Sequence, residues 1–114
     1  MKAMQSILML AMIVAAPLCR ASDFPTADRV EFVLECMRDH TGGQFELLNK
    51  CSCTIDRLAE QYKYDDFVEA QTMAKAVTIA GERGSALRDN EEAQKAARRY
   101  RASVVDAARA CFLR

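Results

Sequence analysis

The chain has no tryptophan, a single histidine, two prolines and only four glycines, and it carries no excess of either charge. Each shortage excludes something. One histidine, His40, with no plausible nucleophile beside it, removes the usual acyl-transfer arrangements. There is no Gly-x-Ser-x-Gly motif and no glycine loop able to cradle a phosphate. Beyond the first twenty residues no apolar run is long enough to span a bilayer. No stretch alternates apolar and polar residues as a half-buried strand would, and no segment repeats. The expected class is all-α, without a catalytic constellation and without a cofactor.

What is present begins with a leader. Met1-Lys2 is a short basic start, Ile7 to Leu18 is uncharged and apolar, and Cys19-Arg20-Ala21 places small residues before a cut. This is the layout of a signal peptide, with cleavage expected after Ala21. A lipoprotein anchored at Cys19 is the other reading, but Pro17 and Leu18 fit a lipobox poorly. Removal of residues 1–21 leaves Ser22 to Arg114 as a single domain of 93 residues. Lys2 and Arg20 leave with no acid, so 14 bases face 16 acids and the net charge becomes −2. That balance argues against a general nucleic-acid binder.

The leader also takes one of five cysteines, leaving Cys36, Cys51, Cys53 and Cys111. An even set in a secreted chain of this size predicts two disulfides and an oxidising compartment. So small a domain buries too little surface to dispense readily with covalent help.

Four helices are expected. Thr26 to His40 carries a stripe of Val30, Val33, Leu34 and Met37, with Thr26 or Asp28 as cap and Thr41-Gly42-Gly43 as a left-handed stop. Gln44 to about Tyr62 follows with Phe45, Leu48, Cys51 or Ser52, Ile55, Leu58, Ala59 and Tyr62, making an antiparallel hairpin with the first. The third, Asp66 to Ala80 and capped by Asp65, buries Phe67, Ala70, Met73 or Ala74, and Val77. Gly81 to Ser85 reads as the most mobile loop. The fourth, capped by Asp89 or Asn90, runs to about Cys111 on Ala93, Ala97, Tyr100, Val104 and Ala107, unbroken by glycine or proline.

Cys51 and Cys53 point about 200° apart on one helix, so they cannot bond to each other there and must serve different neighbours. The turn near Gly42 sets Cys36 opposite a residue one helical turn from Cys51. The expected pairs are therefore Cys36–Cys51 and Cys53–Cys111. Cys36–Cys53 with Cys51–Cys111 stays open as the alternative.

The spacing Cys-x14-Cys-x-Cys, followed by Ile55-Asp56 and by Tyr64-Asp65-Asp66-Phe67-Val68-Glu69-Ala70, resembles a set of small uncharacterised bacterial exported proteins with four cysteines. The likeness covers about Val33 to Ala70. These are associated with neighbourhoods of periplasmic quinoprotein dehydrogenases. The resemblance implies a periplasmic location and service to a periplasmic redox system, and carries no catalytic motif.

Three surfaces are candidate sites. Arg98, Arg99 and Arg101, with Lys95 and Arg109, make a basic face on the last helix that could dock an acidic partner or lipid headgroups, or simply be solvated. An apolar groove between helices, with Tyr62, Tyr64 and Phe67 as contacts, is the second. The third is a thiol or soft-metal centre from Cys36, His40, Cys51 and Cys53, with Lys50 and Arg57 near enough to activate a thiol. It needs sulfurs that structural disulfides would consume. Asp65-Asp66-x-x-Glu69 fits a helix start better than a calcium loop. The resulting expectation is an exported binding or accessory module, partnered by a periplasmic protein, with its oligomeric state left open.

Overall fold

A computed structural model of the protein describes residues 23–114. The expected signal peptide, its cleavage after Ala21 and any anchor at Cys19 lie outside the described residues. Within them every regular element is helical: α1 (Thr26–Asp39), α2 (Gln44–Gln61), α3 (Tyr64–Ala76), α4 (Glu82–Arg88) and α5 (Glu91–Ala110). None is long and apolar enough to cross a membrane.

α5 is the longest helix, and three others pack on it: α2, α3 and α4, while α1 packs on α2. Its stripe explains this. Ala93, Ala97, Tyr100 and Ala107 are buried, and the three alanines let neighbouring backbones come close. Asn90 starts the helix as its side chain accepts from the Ala93 N–H at 3.1 Å. α1 and α2 run antiparallel, as the paired contacts Arg29–Asp56 and Cys36–Cys51 require. Cys53, on the other side of α2, is joined to Cys111 just past the end of α5.

The core has an aliphatic end, with Cys51, Thr54, Ile55 and Leu58 at no more than 2% exposure, and an aromatic end centred on Phe67. Around the Phe67 ring, the centroid of Phe24 lies at 5.0 Å and that of Tyr100 at 5.9 Å, with Phe32 and Tyr62 beyond. Thr54 is the lone polar side chain buried among the described residues, and its hydroxyl donates to the Lys50 carbonyl at 2.8 Å.

Several local expectations are corrected. Val30 and Leu34 are 52% and 62% exposed, and Phe45 and Leu48 are 83% and 43% exposed. The disulfide sets the rotation of both helices: with Cys36 turned to α2, Val30 and Leu34 lie about 120° and about 160° away around α1. Val33 goes inward as expected, Cys36 joins it, and on α2 Leu47 takes the place expected of Leu48. α1 starts behind Pro25 with no side-chain cap, and the chain leaves α1 through an extended His40 and enters α2 through an extended Gly43, with Gly42 between them at φ 158°. α3 starts at Tyr64 behind Lys63, so Asp65 lies in the first turn and caps nothing, and it stops at Ala76.

The stretch expected to be the most mobile loop, Gly81 to Ser85, instead opens α4. Gly81 turns the chain at φ 83°, a left-handed conformation favouring glycine. Arg88 then reaches back, donating to the Ile79 carbonyl and, at 3.0 Å, to that of Gly81.

Candidate functional site: a groove and a basic face on either side of α5

A mainly apolar groove lies between α1, α3 and α5, with a volume of about 520 Å³. Its floor is mostly apolar: Phe32, Cys36, Ala74, Tyr100, Val104 and Ala108. Glu35, Asp39 and His40 stand on the α1 side, Lys75 on α3 and Arg101 on α5. Lys75 donates to both oxygens of Glu35 at 3.3 Å, bridging α3 to α1 across the groove. Arg101 donates to the Ala74 backbone carbonyl at 3.3 Å. Nδ1 of His40 hydrogen-bonds with the Cys36 carbonyl at 2.8 Å. Burial pushes the Tyr100 phenol up to about 12, opposed by a hydrogen bond with Gln71, so it is neutral at ordinary pH.

The expected basic face divides in two. Arg98 and Arg99 are exposed on the outer side of α5 with Lys95, and none of the three has an ion pair among the described residues. Arg101 leaves that face and belongs to the groove. Arg109, on the outer side, sits 3.7 Å from Asp106.

The three aromatic candidates are not free contacts. Phe67 is 3% exposed at the centre of the aromatic cluster. Tyr62 is half-buried, its hydroxyl donating to Ser103 Oγ at 3.0 Å. Tyr64 donates its hydroxyl to Asp28 and its backbone N–H to Asp23 Oδ2 at 3.2 Å. The Asp28 bond is also the main reason the Tyr64 phenol titrates above its ordinary range. Tyr64 and Phe67 thus hold Asp23, Phe24 and Asp28 to α3, while Tyr62 ties the end of α2 to α5.

The sulfur-centred set is not brought together. Cys36 and Cys51 are bonded to each other with Cα atoms 5.9 Å apart, and Cys53 and Cys111 with Cα atoms 5.8 Å apart. Cys53 thus faces α5 while His40 stays at the end of α1. No three His, Cys, Asp or Glu side chains converge as a metal site among the described residues. No family model, curated protein or solved structure matches this chain.

Sequence reasoning missed the groove's rim. Glu35 and Lys75 are ordinary exposed-looking residues 40 apart, and only the tertiary fold pairs them. Thr54 could have been found: a threonine in phase with Cys51, Ile55 and Leu58 can bury by donating back one turn.

Proposed function

We propose that this chain is an exported, disulfide-stapled helical binding protein of the periplasm that docks an acidic surface of a partner protein through the outer face of α5. The observation that carries the reading is the set of unpaired cations Lys95, Arg98 and Arg99. Six ion pairs among the described residues lie on α1, α2, α3 and the far end of α5, yet these three stand open on one side of a single helix. Arginine presents a planar fork suited to carboxylates. The helix that carries it is fixed at its end by Cys53–Cys111, so little ordering is needed on binding. Two disulfides fit an oxidising compartment. Service to a periplasmic redox enzyme, as the cysteine-spacing resemblance implies, is the setting we favour. A thiol or soft-metal carrier would need at least two free sulfurs, whereas all four here are joined.

The test is capture of an acidic partner from a periplasmic extract by the oxidised protein and by Arg98→Glu/Arg99→Glu. Loss of that partner with unchanged helicity, and capture by the unaltered protein that weakens with added salt, is the expected result. Equal capture by the reversed variant removes the proposal.

A further inference from the structure

The groove on the other side of α5 offers different chemistry from the outer face. We propose that it binds a small amphipathic anion, an aliphatic chain ending in a carboxylate, with the head on Arg101 and the chain along Val104 and Ala108.

The shape and lining come first. At about 520 Å³ the groove is in the range of small-ligand sites, and its floor is built from Phe32, Cys36, Ala74, Val104 and Ala108. With water occupying about 30 Å³, that is room for on the order of 15 non-hydrogen atoms. Arg101 to Ala108 spans about 10 Å of helix, the length of a chain of roughly eight carbons.

The sign of the head group follows from the rim charges. Glu35 and Lys75 neutralise each other at 3.3 Å. Asp39 lies 3.8 Å from Arg38. His40 is engaged with a backbone carbonyl. Arg101 has its contact on a neutral group as well, the Ala74 carbonyl, and this guanidinium meets no carboxylate among the described residues within ion-pair distance. A guanidinium has five N–H donors, so donors remain for a carboxylate beside the apolar floor. The neutral Tyr100 hydroxyl adds no repelling charge. A cationic amphiphile would place its head against Arg101, and an uncharged one would leave that guanidinium unanswered.

The experiment titrates the oxidised mature protein with decanoate below its micelle concentration, following backbone amide shifts by NMR, with butyrate and 1-octanol as head-only and tail-only probes. Saturable decanoate shifts centred on Ala74, Tyr100, Val104 and Ala108 are expected, with butyrate and octanol each much weaker. Arg101→Gln should weaken decanoate binding roughly tenfold or more while leaving octanol binding unchanged. Val105→Glu, at a half-exposed groove-lining position outside the core, should weaken decanoate as well. Shifts centred on Lys95–Arg99, no saturation, or undiminished binding by Arg101→Gln would each overturn the proposal. Arg98→Glu/Arg99→Glu should still bind decanoate, so the failure of either proposal is read separately from the other.

Discussion

Phe24, the second of the described residues, lies with its ring centroid 5.0 Å from that of Phe67 at the hub of the aromatic cluster, and only 5% of it is exposed. Phe24, just before α1, is therefore part of the core, and the exposed Asp23 beside it accepts from the Tyr64 N–H at the start of α3. Truncating Phe24 to alanine should cost about 3 kcal/mol, the low end for a buried phenylalanine because the site lies at the rim of the bundle and can partly close. Phe45→Ala, at an exposed position, should change stability by no more than about 0.5 kcal/mol. Urea unfolding of the two variants decides it. Similar losses would mean that Phe24 does not close the core.

The disulfides enclose loops of very different size, with sequence separations of 15 and 58. Loop closure then predicts about 3 kcal/mol for Cys36–Cys51 and about 4 kcal/mol for Cys53–Cys111. Paired Cys→Ser variants should lose stability in that order, against a total on the order of 5 kcal/mol for so small a domain. Mass spectrometry of the non-reduced protein should find no free thiol among these four cysteines and two linked peptides. Two or more free thiols would revive the sulfur-centred reading.

Periodicity was legible where one helix carried one long uninterrupted stripe. α5 follows its alanines and Tyr100 through five turns, and Asn90 caps it as its position suggests. The helical angle between Cys51 and Cys53 likewise sent the two sulfurs to different neighbours, which is how they are bonded. The shorter α1 has apolar residues on more than one side, so its stripe could be drawn through Val30 and Leu34 or through Phe32, Val33 and Cys36. Tertiary facts chose between them: the Cys36 bond and the packing of Phe32 on Phe67. α4 was hidden because Gly81 and Gly84 read as loop residues, whereas Arg88 supplies the ordering by capping two distant carbonyls. The groove was hidden for a related reason. Its rim joins α1, α3 and α5, and no local pattern records that.

Gly84 and Gly43 should respond oppositely to alanine. A Cβ on Gly84 would run into the Ile79 carbonyl and the Arg88 guanidinium that caps it, so the backbone or the cap must move. A Cβ on Gly43 meets nothing within 4 Å, and its φ of −66° suits any residue. Gly84→Ala should cost about 1–3 kcal/mol by overpacking. Gly43→Ala should be neutral or stabilise by up to about 1 kcal/mol through the unfolded chain. Thermal melts of the two suffice, and equal midpoints would show that the α4 segment is not closely held.

Tyr100 makes the alkaline limit of the fold predictable in sign. Burial raises its phenol from 10 to about 12, so the folded protein keeps a proton that the unfolded chain gives up sooner. The contribution is complete below pH 10 and is lost as pH rises from 10 towards 12, because the unfolded state then binds fewer protons than the folded one. Tyr64, shifted the same way by Asp28, adds to the same slope. After allowance for solvent screening the Tyr100 part is on the order of 1–2 kcal/mol. Tyr100→Phe should therefore flatten the fall in stability over this window while leaving the value near pH 7 within about 1 kcal/mol. Urea midpoints measured at several pH values, beside an ultraviolet titration of the phenolates, test both halves of the argument. An unchanged slope in Tyr100→Phe would show that this hydroxyl titrates as freely in the bundle as in the unfolded chain, and that the floor of the groove is open to water.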